Sequence, residues 1–468
     1  YRYDTQTYFR SMLYENEEGL DLGGVSDDGR WVVYVRNNSN ADSDLFLIDL
    51  TSDERELVNI TPHSGNVEHS SMGFTPDSQK LIYSTDEYGE FKQAWALELE
   101  TGRREALIAE DWDVMYVGYS PSGRYQVTGV NSDASTQVTM LDLKSGQEVP
   151  LGNIPDGDLA QVRFNRDESA VAFGLYRDTA PYDIYHMSLG QDPSQLTNAL
   201  NPAIDAEMLV EGEIVRFESY DGLQIPGILY QPREATAENP VPALVWVHGG
   251  PGGQSRKGYS AVIQHLVNHG YAVYQINNRG SSGYGKTFYH LDDLKHGEAD
   301  LGDVVASRAF LDSYDWIDGG RVGIIGGSYG GYMVAAALAF QPEAFDVGIN
   351  IFGVTNWLRT LQSIPPWWGA FRTSLYAELG DPAIDTERLT AISPLFHAKN
   401  IVKPLLVVQG ANDPRVLQVE SDELVEKVRA NDVHVEYVLF EDEGHGFRKR
   451  ENRITASKAY LRFLDEYL

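Results

Sequence analysis

Cysteine is absent from all 468 residues, which excludes disulfides, thiolate nucleophiles and cysteine-ligated zinc. The compartment stays open, because a cysteine-free chain tolerates oxidising and reducing surroundings alike. Basic residues are scarce: 37 Lys and Arg stand against 69 Asp and Glu, a net charge of −32. A surface of that sign repels phosphate, so neither nucleic acid nor an anionic membrane is an expected partner. No apolar run approaches the ~18–20 residues that a membrane span needs. No secretory leader opens the chain at Tyr1, and a removed leader would leave no trace. H-E-x-x-H, G-x-x-x-x-G-K-[ST] and acidic calcium-loop patterns are all missing, so no metal and no nucleotide cofactor is called for.

What the chain does carry is Gly326-Gly327-Ser328-Tyr329-Gly330-Gly331, a G-x-S-x-G sequence in a telling context. The β-branched run Arg321–Ile325 before it suits a buried strand, and Met333–Phe340 after it is rich in helix formers. Strand, tight glycine-flanked turn and helix are the setting of a nucleophile elbow, which holds a serine out at the carboxyl edge of a sheet. A serine needs a base and an orienting acid, and in this setting the chain order is Ser, then acid, then His. Asp413 follows Ser328 by 85 residues, just past the strand-like Pro404–Gln409. His445 follows by a further 32, between two glycines after the alternating run Val433–Phe440. Asp442, Glu443, His397 and His434 compete less well, because each has a ready local hydrogen-bond explanation.

Acyl transfer also needs donors for the oxyanion. The apolar Ala243–Val247 opens into His248-Gly249-Gly250-Pro251, the kind of glycine-rich loop whose amide faces a nucleophile. The second amide is that of Tyr329. His248 precedes the serine, an order this fold does not use for its base, and reads as a loop anchor.

These segments, with Asn278-Arg279-Gly280-Ser281-Ser282-Gly283-Tyr284-Gly285, Gln409–Val416 and Asp442–Phe447, resemble the prolyl oligopeptidase family of serine peptidases, notably its acylaminoacyl-peptidase-like members. The resemblance implies an α/β-hydrolase catalytic domain and hydrolysis of short peptides through an acyl-enzyme. It implies a triad of Ser328, Asp413 and His445, with the Gly250 and Tyr329 amides as the oxyanion hole. Some members use a tyrosine hydroxyl in the oxyanion loop; His248 stands there in this chain, so that role is not carried over. Trp357, Trp367 and Trp368 are expected to line an apolar substrate pocket, and core or interface packing competes for them. Arg279 and Arg415 are candidates to hold a substrate carbonyl or carboxylate, with loop-anchoring ion pairs as the competing role. In dipeptide-removing relatives acidic residues bind the free amine, and no such pair stands out in the sequence.

The N-terminal part repeats. Turn-like tetrads begin at Ser26, Thr75, Ser120 and Asn165, with spacings of 49, 45 and 45 residues. Each precedes two strand-like runs, the first set being Trp31–Val35, Leu81–Ser84, Tyr125–Thr128 and Ala170–Phe173. A period in the mid-forties with several strands per unit predicts β-propeller blades. Two domains follow: an all-β propeller-like domain over 1–205 and an α/β-hydrolase domain over 206–468. Four blades are fewer than the seven or eight the resemblance implies, so earlier blades are expected to be missing. A half-propeller completed by another subunit is the alternative, and a homo-oligomer stays open. An intact mass near 52.2 kDa would refute missing blades. Two other function classes remain open: a carboxylesterase using the same triad on small esters, and a non-catalytic propeller interaction protein.

Overall fold

The computed structural model describes residues 1–155 and 157–468. Its N-terminal part holds four four-stranded antiparallel sheets, each a simple meander. The central strands are Trp31–Ser39 with Asp42–Asp49, Lys80–Thr85 with Gln93–Glu98, Tyr125–Ser132 with Ser135–Asp142, and Ala170–Arg177 with Ala180–Ser188. The repeated tetrads are the turns leading into the first strand of each pair, and side-chain hydrogen bonds explain their recurrence. Ser26 Oγ and the Arg30 amide both donate to Asp28 Oδ1, at 2.6 and 2.9 Å. Thr75 Oγ1 and the Gln79 amide do the same at Asp77 Oδ1, at 2.6 and 3.1 Å. These are Asx-type turns, in which a carboxylate replaces a backbone acceptor. Tetrads also link neighbouring sheets: the Asp28 amide donates to Ser78 Oγ, and the Ser122 amide to Glu168 Oε1. Apolar faces meet between sheets, as where Val33, Leu45 and Leu47 pack with Leu81, Tyr83 and Leu97.

The C-terminal part is built on one eight-stranded sheet. Across it the strands run Glu213–Glu218, Gln224–Tyr230, Ala272–Ile276, Val241–Val247, Ile317–Gly327, Gly348–Ile351, Leu405–Gly410 and Val435–Phe440. The first two pairings are antiparallel and all the others parallel. The parallel strands are almost unbroken apolar runs because helices cover both faces. The helix Tyr329–Phe340 is buried around nearly its whole circumference, which fits its sequence of Ala, Val, Met and Leu. Register brings the strand ends level: Val247 faces Gly326, Gly327 faces Ile351, and Ile351 faces Val408. Loops leaving these ends therefore converge at the carboxyl edge, where open α/β sheets place their ligand sites.

Polar contacts tie the blades to this sheet. Arg256 donates to Asp158 Oδ2 and Thr136 Oγ1, both at 2.8 Å. Buried Asp178 accepts from the Gly258 and Gly212 amides and from the Tyr230 hydroxyl. Among the described residues, no helix is long and apolar enough to cross a membrane.

Candidate active site

Ser328 stands between the strand Ile317–Gly327 and the helix Tyr329–Phe340 with φ 58° and ψ −117°. This left-handed conformation is costly for a non-glycine residue and tends to persist where the surroundings enforce it. The enforcement is close packing by glycine. A Cβ on Gly330 would lie 2.1 Å from the Val247 carbonyl oxygen, and one on Gly326 would lie 2.5 Å from the Gly330 carbonyl oxygen. Both obstacles are backbone, so neither can swing aside.

His445 lies in the loop after Val435–Phe440. Its Nε2 is 3.0 Å from Ser328 Oγ and its Nδ1 is 2.7 Å from Asp413 Oδ2. Asp413 is almost wholly buried. Its other oxygen, Oδ1, accepts from the Arg415 and Val416 amides at 2.9 and 3.0 Å. The carboxylate is thus aimed by its own loop, and the Phe352 ring, 4.8 Å from the His445 ring, limits how the imidazole can tilt. Nδ1 must carry a proton to meet the carboxylate, which leaves Nε2 as acceptor toward the serine hydroxyl. That is the tautomer a general base requires.

A cavity of about 400 Å³ opens beside the hydroxyl. Its lining includes Gly249, Gly250, Pro251, Tyr329, Val354, Trp357 and Trp368, with Thr360, Ile364, Phe371, Leu375, Arg415 and Val416. The N–H groups of Gly250 and Tyr329 have no hydrogen-bond partner among the described residues. Two free amides beside the Ser328 hydroxyl are what a developing oxyanion there would need.

The structure separates the other candidates. Trp357 is buried, stands edge-on to Tyr332 at 5.1 Å and forms one wall of the cavity. Trp368 forms another wall, with the Arg415 guanidinium 5.8 Å over its ring. Two expectations are corrected. Trp367 is 79% exposed on the short 3₁₀ turn Pro366–Trp368 and does not line the cavity, because successive residues of such a turn are rotated by about 120° and only Trp368 is brought inward. Arg279 does not line the cavity either. It is buried in bidentate pairs with Asp303 and Asp221, the loop-anchoring role that competed for it. His248 Nε2 is 2.8 Å from Ser281 Oγ. His434 stacks on Tyr467 and His397 meets Phe340 edge-on. Glu443 accepts from the Arg448 and Lys449 amides.

Sequence reasoning missed several contributors. Glu420, distant in sequence, accepts from the Thr355 and Asn356 amides and fixes the loop that presents Trp357. Burial pushes its carboxyl up, against the lowering effect of those hydrogen bonds. The apolar wall residues Val354, Ile364, Leu375 and Val416 look like ordinary core in sequence. The cluster Asp292, His296 and Asp300 behind Tyr329 had no motif to mark it.

The prolyl oligopeptidase family model matches residues 257–468. The chain is 31% identical to a dipeptidyl aminopeptidase BIII of Pseudoxanthomonas mexicana, over 97% of this chain and 67% of that protein. It is 33% identical to a dipeptidyl peptidase family member 6 of Caenorhabditis elegans, over 67% of this chain and 46% of that protein. The chain thus spans between about half and two thirds of these relatives. A solved puromycin-hydrolysing peptidase of Mycobacterium tuberculosis superposes with a TM-score of 0.84, covering 95% of this chain and 69% of that one. At 20% identity that likeness shows the fold alone: an α/β-hydrolase domain behind an all-β, propeller-like one.

Proposed function

This chain belongs to the prolyl oligopeptidase family of serine peptidases, and from that membership we propose that it hydrolyses short peptides through an acyl-enzyme on Ser328. The observation that carries the reading is the unbroken chain of contacts from Asp413 through His445 to Ser328 Oγ. In the proposed mechanism Nε2 of His445 takes the hydroxyl proton as Oγ bonds to the scissile carbonyl carbon. Negative charge on the carbonyl oxygen is met by the Gly250 and Tyr329 amides. Asp413 holds the imidazole and stabilises its cationic form. Collapse breaks the C–N bond, and His445 returns the proton to the leaving amine. Water then repeats the sequence on the ester, releasing the acid and restoring Ser328.

The cavity walls favour a bulky apolar side chain next to the scissile bond. Trp357, Trp368, Phe371, Ile364 and Leu375 offer mostly hydrocarbon, and such a pocket discriminates by desolvation and fit. A second cavity, of about 250 Å³, adjoins this one at Pro251 and favours a finer reading. Glu68, Asp86, Glu90 and Asp113 line it against Lys92 and Lys286. An excess of carboxylates there suits a positively charged peptide amine better than a blocked end. That agrees with a dipeptide-removing enzyme, as the names of the two relatives have it, over an acylaminoacyl-peptidase.

The test is mass spectrometry of products from free-amine peptides, N-acetylated peptides, peptides with internal proline and a short-chain p-nitrophenyl ester, with Ser328→Ala as control. Serine-dependent release of N-terminal dipeptides is the expected result. Cleavage of acetylated peptides alone would sink the free-amine reading. Ester turnover with every peptide intact would make the protein a carboxylesterase.

A further inference from the structure

Behind the nucleophile lies a buried polar chain that the proposed mechanism does not use. Tyr329 follows Ser328 and begins the helix Tyr329–Phe340, so its amide and its phenol belong to one anchored residue. The phenol hydroxyl bonds to Asp300 Oδ2 and is 2.6 Å from His296 Nδ1. Asp300 Oδ1 accepts from the Gly297 and Leu301 amides at 2.7 and 2.8 Å, which locks the carboxylate at the start of the helix Ala299–Asp312. Asp292 Oδ2 stands 3.3 Å from the same His296 nitrogen. Tyr329, Asp292, His296 and Asp300 are all buried.

One proton arrangement satisfies both contacts of the phenol. Tyr329 donates to the Asp300 carboxylate, and His296 Nδ1 donates to the phenol oxygen. The surroundings agree. Burial holds His296 down to about 4, so it is neutral. Burial pushes both Asp292 and Asp300 up, and the Tyr329 and backbone hydrogen bonds oppose the rise at Asp300. A neutral imidazole and an ionised Asp300 then give each of the phenol's two contacts one proton, and a neutral Asp292 puts no second charge beside His296.

Polar groups this deep are costly to keep, and an apolar side chain would have filled the space at less cost. We propose that Asp300 and His296 are positioning residues: through the Tyr329 phenol they fix the first residue of the helix, and so hold its main-chain N–H on the oxyanion. The idea rests on the reading of Ser328 as nucleophile. It differs from a merely structural role in where the loss appears. An amide displaced by a fraction of an ångström weakens transition-state binding and leaves ground-state binding alone.

The experiment compares Tyr329→Phe and Asp300→Asn with the parent chain in kcat, KM, melting temperature and inhibition by a peptidyl aldehyde, which becomes tetrahedral on the serine. Tyr329→Phe keeps the ring and removes only the hydroxyl; Asp300→Asn is isosteric and keeps the phenol, so it serves where the first variant does not fold. The expected result is a kcat lower by roughly 10–100-fold in Tyr329→Phe and less in Asp300→Asn. KM should stay within about twofold, and aldehyde affinity should fall in step with kcat. A lower melting temperature with kcat unchanged would overturn the proposal, as would a loss confined to KM. Fluorophosphonate labelling of the parent chain separates the two ideas. An unlabelled Ser328 removes the proposed function itself, whereas a labelled parent with unaffected variants removes only the positioning role.

Discussion

Replacing Arg279 by Met tests whether this arginine holds the scaffold or the substrate. The guanidinium makes two hydrogen bonds to Asp303, at 2.9 and 2.8 Å, and two to Asp221, at 2.8 and 2.9 Å. Its amide also donates to Asp303 Oδ2 at 2.9 Å. Asp303 is fully buried, and after the substitution it keeps only that amide and the Ser219 hydroxyl at 2.6 Å. Leaving one member of a buried pair unpaired costs about 3–5 kcal/mol. Near the melting point of a domain of this size, 1 kcal/mol moves the midpoint by about 2 °C. The expected drop is therefore roughly 6–10 °C, read by differential scanning fluorimetry. At a temperature where both proteins are folded, KM should be unchanged. Adding Asp303→Leu should restore most of the loss, because no buried charge is then left alone. A midpoint within about 1 °C of the parent, together with a several-fold higher KM, would refute the reasoning and return Arg279 to the substrate.

Trp368→Ala removes a cavity wall and the surface under Arg415, and should change the ratio of kcat/KM values between large and small side chains by roughly 10–100-fold. Trp367→Ala, on an exposed side chain, should shift neither that ratio nor stability by more than about 0.5 kcal/mol; parallel substrate panels check both. Asp413→Asn should leave the fold intact, since an amide oxygen can still accept from the Arg415 and Val416 amides. It should lower kcat by about 10⁴-fold, because the imidazole loses the partner that sets its tautomer. The buried His69 imidazole finds no hydrogen-bond partner among the described residues and is held down to about 4 by burial, then by the neighbouring His63, with Arg104 adding to this and Glu87 and Asp44 opposing it. The unfolded imidazole takes its proton near ~6.5, so stability is complete above that pH and is lost as pH falls toward 4. The loss amounts to at most about 3 kcal/mol. His69→Leu should flatten this fall in melting temperature between pH 7 and pH 5.

The repeat and the elbow were legible in the sequence because both rest on local rules. The tetrads at Ser26, Thr75, Ser120 and Asn165 carry side chains that close their own turns, and the strands after them follow from alternation and β-branching. Ser328, Asp413 and His445 could be picked out because each sits in a turn directly after an apolar strand. Parallel strands of one sheet end on one side, so chain order and strand ends together predicted one edge. The glycines around Ser328 carried the same message, since only a side chain of no size fits between Val247, Gly326 and Gly330.

Which residues the converging loops bring within reach was another matter. Trp367 and Trp368 are neighbours of the same type, and only the turn they share decides that one lines the cavity and the other meets water. Arg279 looked as able to hold a carboxylate as Arg415. Its partners Asp303 and Asp221 lie 24 and 58 residues away, and nothing local announces them. Glu420, Asp292, His296 and Asp300 gain their roles purely from packing behind the Thr355 loop and the Tyr329 phenol. The sequence by itself determined the elements, their order and the chemistry available at one sheet edge, because periodicity and turn geometry act over a few residues. The tertiary structure alone decided which charges are paired, which aromatic rings line the cavity and which polar groups lie buried behind Tyr329. Those depend on contacts between segments that the chain keeps far apart.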